Sequence, residues 1–187
     1  LILLYKCISM RLKELISTED YTVLKNIKRD PTYYTQGLIL QDNYLYESGG
    51  LYGESVLVKM EYPSLKEVFK FPIGREYFGE GIGICKGKIY QLTWQERKIL
   101  YYSFPDLNFI DILPMDQQLQ SGWGLANLNT NSMIATDGTH FIYTLDCDNN
   151  LKVTNKIAVT INGTKVDRLN ALVFAKGHIY ANRYYDS

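Results

Sequence analysis

A repeat that recurs every 43 to 47 residues constrains the fold of this 187-residue chain more than any other feature of its sequence. Four similar units open at Gly37-Leu38, Gly81-Ile82, Gly124-Leu125 and Ala171-Leu172, with spacings of 44, 43 and 47 residues. A period of roughly 40–50 residues holding several short strands is typical of a β-propeller blade, whereas ankyrin and tetratricopeptide repeats are shorter and helical. The repeat therefore predicts an all-β propeller.

Within each unit, apolar and polar residues alternate as they do in half-buried strands. Residues 88–92, Lys-Ile-Tyr-Gln-Leu, are one example, and Tyr46, Tyr90 and Tyr180 each lie nine residues after the opening of a unit. The third unit is out of step at this position. Short polar and glycine-containing runs, which favour turns, separate the strands at 41–43, 86–87, 137–139 and 176–177. A helical pattern is confined to residues 8–18.

The fourth unit is shorter than the others. It stops at Ser187, partway through its length. Three and a half blades would leave unpaired strand edges at both ends of the ring. We therefore expect that at least one further blade is missing at the C-terminus, or that another chain supplies it. Residues 21–27 predict a strand ahead of the first unit, of the kind that completes the last blade in many propellers.

Composition narrows the classes of partner. Twenty basic residues balance twenty acidic ones, so there is no electrostatic case for nucleic acid or an anionic membrane surface. The apolar residues 1–5 are too few to span a membrane. They fit the tail of a signal peptide or anchor, and equally a cloning or gene-model boundary. We expect residues 1–20 to be a leader or linker and residues 21–187 to form the propeller domain.

The cysteines and histidines form no compact metal motif. Cys7, Cys85 and Cys147 share no short spacing, and their odd number rules out a fully intramolecular disulfide framework. His140 and His178 lie far apart in the sequence, and we expect both to be surface or turn residues. The sequence predicts no metal site and no cofactor. A single sequon, Asn162-Gly163-Thr164, fits secretion but is weak alone.

One set of polar and aromatic residues shares a register in the repeat. Gln36, Glu80, Trp123 and Asn170 each stand immediately before the opening position of a unit. Equivalent positions in successive blades converge at one end of the central channel, where propellers usually place their sites. The register therefore predicts that these four side chains meet.

Eight short motifs, in order across about residues 21–186, resemble those of the glutaminyl-peptide cyclotransferase family of the plant and bacterial type. They are Y-T-Q-G-L at 34–38, Y-E-S-G-G-L-Y-G at 46–53, Y-F-G-E-G at 77–81, Y-Q-L-T-W at 90–94, G-W-G-L-A at 122–126, T-D-G-T at 136–139, R-L-N at 168–170 and A-N at 181–182. The resemblance implies a five-bladed propeller that works without a metal or cofactor. It also implies conversion of N-terminal glutamine, in peptide or protein substrates, to pyroglutamate with release of ammonia. Such an enzyme would be secreted, or lie in the secretory pathway or a periplasm-like compartment.

The resemblance also implies roles for individual residues. Glu80 would be the general acid/base that moves a proton from the attacking amine to the leaving nitrogen. Trp94 and Trp123 would pack on the glutamine side chain, and Gln36 and Asn170 would bind its amide or amine. The remaining substrate-binding residues would be aromatic: Tyr34, Phe78 and Tyr184. Without the resemblance, Glu80 would be interpreted as a turn glutamate and the tryptophans as core residues.

The chain departs from the family pattern at several positions. Ala171 and Val173 replace acidic residues, Glu54 replaces an arginine, and Tyr184 replaces a tryptophan. These changes, with the short fourth unit, support an alternative: a non-catalytic propeller of the same ancestry that serves as a binding scaffold. The retained Glu80, Gln36, Asn170 and both tryptophans favour the enzyme.

Overall fold

The chain folds into antiparallel sheets. A computed structural model describes residues 3–6, 26–28 and 32–184, and these residues form β-strands and no helix. Accordingly, the described part of the chain contains no helix long and apolar enough to cross a membrane. The all-β prediction is confirmed. The predicted helical pattern at 8–18 lies outside the described residues. Of the predicted strand at 21–27, only Asn26 and Ile27 are described, and neither belongs to a strand.

Three four-stranded sheets follow one another, and each is built from four consecutive strands. Blade 1 consists of β2 (Tyr34–Gln41), β3 (Tyr44–Gly50), β4 (Val56–Glu61) and β5 (Glu67–Pro72). Blade 2 consists of β6 (Gly79–Cys85), β7 (Lys88–Thr93), β8 (Lys98–Ser103) and β9 (Phe109–Pro114). Blade 3 consists of β10 (Leu125–Asn127), β11 (Ser132–Ala135), β12 (Phe141–Asp146) and β13 (Lys152–Ala158). Each repeat unit is thus one antiparallel sheet, consistent with a propeller blade.

A fourth sheet has three strands. The strands β16 (Leu169–Ala175) and β17 (His178–Arg183) form a hairpin, and β1 (Leu3–Lys6) pairs antiparallel with β17. A small hairpin of β14 (Thr160–Ile161) and β15 (Thr164–Lys165) lies between blade 3 and this sheet in the chain. The sequon residue Asn162 is exposed in its turn.

Glycines let the innermost strands of neighbouring sheets approach one another. A Cβ atom on Gly37 of β2 would lie 2.7 Å from the backbone nitrogen of Ile82 in β6. One on Gly81 would lie 2.6 Å from the carbonyl oxygen of Trp123, and one on Gly124 would collide with the carbonyl oxygen of Asn170. In the first three units, the opening position is therefore the point where the inner strand contacts the next one.

Apolar side chains fill the interfaces between successive sheets. Fully buried examples are Leu57, Ile82 and Ile89 between blades 1 and 2, Leu92, Ile99 and Met133 between blades 2 and 3, and Ile134, Ile142 and Leu169 between blade 3 and the fourth sheet. Burial of each such side chain contributes about 1.5–3 kcal/mol to folding. The interfaces fix the angle between sheets and so the positions of the strand ends that carry the site.

A disulfide joins blades 2 and 3. Cys85 ends β6, Cys147 follows β12, and their sulfur atoms are bonded although 62 residues separate them in the chain. The sequence prediction excluded only a complete disulfide framework and gave no sign of this pair, because nothing in a long spacing marks two cysteines as neighbours.

The inner strands β2 and β16 line a common cavity of about 500 Å³. Leu38 and Leu40 of β2 and Val173 of β16 are each more than half exposed on these strands. Apolar side chains in the equivalent strands β6 and β10, such as Ile82 and Leu125, are buried by a neighbouring sheet. The two inner strands at either end of the series therefore each leave apolar surface uncovered.

We predict that Gly124→Ala lowers the free energy of unfolding by about 1–3 kcal/mol or more, because the methyl group meets backbone atoms of Asn170 that cannot rotate away. Urea denaturation measures the loss. Gly87→Asn is the control: Gly87 lies in a turn with open space around it and a positive φ that asparagine tolerates. Equal stability of Gly124→Ala and the wild type would contradict the proposed close approach.

Candidate active site

The eight predicted site residues all line one cavity of about 260 Å³. The sequence prediction placed them in four different units, and the structure brings them together. They are Tyr34, Gln36, Phe78, Glu80, Trp94, Trp123, Asn170 and Tyr184, and Leu51 completes the lining. The four residues that precede the opening positions therefore line the same cavity, and their roles stay predictions.

β-Bulges aim three of these side chains. The pairing of β2 with β3 shifts register between Thr35 and Gly37, so Gln36 lies at the irregularity. Equivalent shifts occur between Gly79 and Ile82, around Glu80, and between Leu169 and Leu172, around Asn170. A bulge inserts an extra residue into a strand and re-aims its side chain, and bulges are frequent beside active sites. The repeat thus places the same backbone irregularity in three sheets.

Glu80 is the buried carboxyl of this cavity. Its side chain is 5% exposed, and Gln36 Nε2 donates a hydrogen bond to its Oε1 at 3.3 Å. Burial, followed by the negative charge of Glu96, raises the pKa of Glu80 from 4.5 to about 9. Glu80 is therefore protonated at neutral pH and has a proton to donate.

Hydrogen bonds on both sides hold the backbone around Glu80. The Gly79 N–H donates to Ser55 Oγ at 3.0 Å, and the Gly81 N–H donates to the Trp123 carbonyl at 2.8 Å. The Trp94 N–H donates to the Phe78 carbonyl at 3.0 Å. These contacts tie the glutamate to blade 1, to blade 3 and to the segment that follows the second strand of its own blade. Its carboxyl is thus carried on a fixed support.

Aromatic side chains form the walls. Phe78 and Trp94 pack edge to face with ring centroids 5.7 Å apart, and Trp123 and Tyr184 do so at 5.8 Å. Such pairs are favoured because the positive edge of one ring meets the negative face of the other. The buried Trp123 Nε1–H has no hydrogen-bond partner among the described residues. The aromatic wall therefore contains a buried N–H donor without a partner.

The sequence prediction missed three residues at this site. Leu51 lines the cavity with a positive φ of 85°. Glu96 and Tyr52 lie next to it and are hydrogen-bonded to each other. Leu51 and Tyr52 fall within the motif at 46–53, from which the sequence analysis assigned no site residue. Glu96 follows the last motif residue of blade 2 by two positions and carries no sequence signal.

The departures from the family pattern lie in three different places. Ala171 and Val173 line the larger cavity beside β2 and not the one around Glu80. Glu54 is exposed in the turn after β3. Tyr184 lies in the wall where the family carries a tryptophan. Three of the four departures thus leave the lining around Glu80 unchanged.

No cluster of three or more histidine, cysteine or acidic side chains among the described residues is arranged to hold a metal ion. His140 and His178 do not line the cavity. His140 lies 3.2 Å from Asp167, and His178 lies 2.9 Å from the carbonyl oxygen of Lys176. Both histidines are half-buried, His140 in a bend and His178 at the start of β17, directly after a turn.

Comparisons with known proteins agree on one family. A family model described as glutamine cyclotransferase matches residues 2–187. A glutaminyl-peptide cyclotransferase of Arabidopsis thaliana is 32% identical over 164 residues, which are 87% of this chain and 50% of that protein. The chain thus spans about half the length of this curated relative.

Solved structures show the same relationship. The crystal structure of Myxococcus xanthus glutaminyl cyclase aligns with a TM-score of 0.76 at 25% identity, covering 89% of this chain and 68% of that one. The WD40 domain of Neurospora crassa Pan2 aligns with a TM-score of 0.58 at 13% identity over 79% of this chain and 41% of that one. The second likeness shows the fold alone.

We predict that Glu80 makes the protein less stable as pH rises. Its pKa is about 4.5 unfolded and about 9 folded, so between these values the folded state holds a proton that the unfolded state has lost. Its contribution to the free energy of unfolding then falls by up to about 1.4 kcal/mol per pH unit. Glu80→Gln removes this dependence, so its stability advantage over the wild type should grow from pH 5 to pH 8.

Urea denaturation at several pH values measures the difference. Glu76→Gln, which removes an exposed carboxylate from the same segment, is the control and should follow the wild type. Parallel curves for Glu80→Gln and the wild type would show that Glu80 is not the buried neutral acid described above.

Proposed function

The chain belongs to the glutamine cyclotransferase family, and on this premise we propose that the full-length protein converts N-terminal glutamine of peptides to pyroglutamate with release of ammonia. One observation carries the proposal: the buried carboxyl of Glu80, whose pKa burial raises to about 9, shares a cavity with polar and aromatic residues of three other sheets. The substrates are peptides or proteins with a free N-terminal glutamine.

The reaction forms one bond and breaks one. The α-amine nitrogen attacks the side-chain carbonyl carbon of the same glutamine, a five-membered lactam forms, and the carbon–nitrogen bond to the side-chain amide breaks. The attacking amine must lose a proton and the leaving nitrogen must gain one to depart as ammonia. Protonated Glu80 gives its proton to the leaving nitrogen and takes one from the attacking amine, so it ends each turnover protonated. A pKa raised by burial supports this role.

The walls favour the folded shape that the substrate needs. Ring closure requires the amine and the carbonyl carbon to be in contact, and a narrow apolar cavity disfavours extended conformations of the side chain. Phe78, Trp94 and Trp123 enclose the cavity, with Tyr34 and Tyr184 at its exposed rim. This arrangement suits one glutaminyl side chain with the peptide leaving across the rim.

Polar groups around Glu80 can stabilise the negative charge that develops on the oxygen of the attacked carbonyl. Trp123 Nε1–H is an unused donor, and donors of this kind stabilise the oxyanion of an attacked carbonyl. Gln36 on β2 and Asn170 on β16 add amide groups to the lining of the cavity. We assign Gln36 and Asn170 to binding the substrate amide or amine and Trp123 to the oxyanion, with no metal or cofactor in the reaction.

We further propose that the complete propeller has five blades. The uncovered apolar side chains Leu38 and Leu40 on β2 and Val173 on β16 support a further sheet between these strands. Such a sheet would bury them as blade 1 buries Ile82. It would also close the larger cavity next to Gln36.

We also propose that the protein works in an oxidising compartment, outside the cell or in the secretory pathway or its bacterial equivalent. The Cys85–Cys147 bond supports this, because disulfides persist where thiols are not kept reduced. The exposed Asn162 in the β14–β15 turn is compatible with it.

We therefore predict that Cys85 and Cys147 are blocked to alkylation in protein isolated from its own cells. Iodoacetamide added under denaturing conditions should leave both cysteines unmodified until a reductant is present, as peptide mass spectrometry would detect. A reduced sample is the control for reactivity. Alkylation of both cysteines without reductant would exclude an oxidising compartment.

We predict that Glu80→Gln lowers turnover by about 10²–10⁴-fold, the usual contribution of general acid/base catalysis. Glutamine keeps the size of the side chain and cannot relay the proton, while the walls and Gln36 remain, so peptide binding should change little. Ammonia release from a glutamine-initiated peptide by the full-length protein measures turnover, and the wild type should be unaffected by a chelator.

Glu76→Gln is the matched control, since it removes an exposed carboxylate from the segment before β6, and it should retain wild-type turnover. Undiminished turnover in Glu80→Gln would remove Glu80 from the mechanism. Loss of wild-type activity on chelation would contradict metal-independent catalysis.

A further inference from the structure

A second carboxylate, Glu96, joins two blades beside the cavity. It lies between β7 and β8 of blade 2 and accepts two hydrogen bonds. The Tyr52 hydroxyl, in the loop after β3 of blade 1, donates to Oε1 at 2.7 Å. The Phe78 N–H, two residues before Glu80, donates to Oε2 at 3.3 Å. Glu96 therefore links a loop of one blade to the wall of the cavity in the next.

The same contacts fix the aromatic wall. The Tyr52 ring packs edge to face on Phe78 at 5.5 Å, and Phe78 packs on Trp94 at 5.7 Å. Without Glu96, the Phe78 N–H and the Tyr52 hydroxyl would both lose their acceptor. The wall residue Phe78 would then be held by apolar contacts and by the Trp94 N–H, which donates to its carbonyl. The loop that carries Leu51 would keep the hydrogen bond from the Ser55 hydroxyl to the Leu51 carbonyl.

Resting on the proposed cyclotransferase function, we propose that Glu96 is a positioning residue for catalysis. Its carboxylate holds Tyr52 and Phe78 against the cavity and acts by its charge on the neighbouring Glu80. It does not touch the reacting atoms. No motif of the family resemblance includes it, and its place is defined by the two hydrogen bonds.

The charge of Glu96 favours the protonated form of Glu80. Burial is the larger cause of the raised pKa of Glu80, and the negative charge of Glu96 is the second. The other titratable side chains that line the cavity are the phenols of Tyr34 and Tyr184. The hydrogen bond to Glu96, with burial, raises the pKa of Tyr52 to about 12, so Tyr52 remains a donor throughout the working range.

Two variants separate the effect of the Glu96 charge from the effect of its hydrogen bonds. Glu96→Gln removes the charge and keeps the size of the side chain and one acceptor oxygen. Tyr52→Phe keeps the charge and removes one hydrogen bond. The substrate amine must be neutral to attack, so kcat/KM rises with pH through about 7.7 and falls again as Glu80 loses its proton. The alkaline limb of this profile therefore reports on Glu80.

We expect Glu96→Gln to move the alkaline limb to lower pH by about one unit, because Glu80 ionises more easily without a neighbouring negative charge. Tyr52→Phe should leave the limb in place and lower kcat by about threefold to tenfold, the loss expected from one hydrogen bond. Glu76→Gln should change neither. If the Glu96→Gln profile superimposes on that of the wild type, the inference is overturned and the proposed function stands.

A readout independent of activity keeps the two proposals distinguishable. Unfolding free energies of the wild type, Glu80→Gln, Glu96→Gln and the double variant form a thermodynamic cycle at each pH. We expect a coupling between Glu80 and Glu96 that is absent at pH 4 and grows as pH approaches 9. If the wild type releases no ammonia, the proposed function fails. The cycle then still decides whether Glu96 acts on Glu80, and additive values at every pH would refute that action.

Discussion

The close approach of inner strands at the start of each repeat unit is the contact on which the rest of the structure depends. At Gly37, Gly81 and Gly124 the backbone of one sheet meets the backbone of the next, and any side chain there would collide. This contact explains why the sequence repeat is marked by glycine and not by a large apolar residue. It also fixes where the preceding residue lies. Bulges around Gln36, Glu80 and Asn170 then turn those side chains toward a common cavity.

The site combines two opposing effects on Glu80. Packing among aromatic side chains removes water and disfavours the charged form, and this destabilises the fold at high pH. The same burial gives the carboxyl a proton at neutral pH, which an exposed glutamate would not retain. Ser55, Gln36 and the Trp123 carbonyl hold the segment through hydrogen bonds to Glu80 or its neighbours. A preorganised catalytic group requires a backbone support that is fixed in this way, even where burying the group lowers the stability of the fold.

Much of this arrangement can be predicted from the sequence because it follows from period and register. The alternation within each unit predicts the strands, and the position before each opening residue predicts which side chains meet. Glu96 and the Cys85–Cys147 bond cannot be found this way, since each depends on a contact between sheets that no local pattern records. Leu51 needs a positive φ that is unusual for leucine. The short hairpin around Asn162 was also not predicted. Its turn has a positive φ at Asn162 and Gly163, and an Asn-Gly pair favours such turns.

Ala171, at the fourth opening position, limits how closely a further strand can pack on β16. Ala171 carries a methyl group where three earlier units have glycine, and its backbone still receives Gly124 closely, with the Gly124 Cβ position 3.1 Å from Ala171 Cα. On its other side Ala171 is exposed and lines the larger cavity, so its methyl group has room there. A strand that packs on β16 cannot approach Ala171 as tightly as β10 approaches Gly81. The proposed fifth sheet would therefore sit slightly farther from β16, and the exposed Val173 is a side chain suited to fill that wider gap.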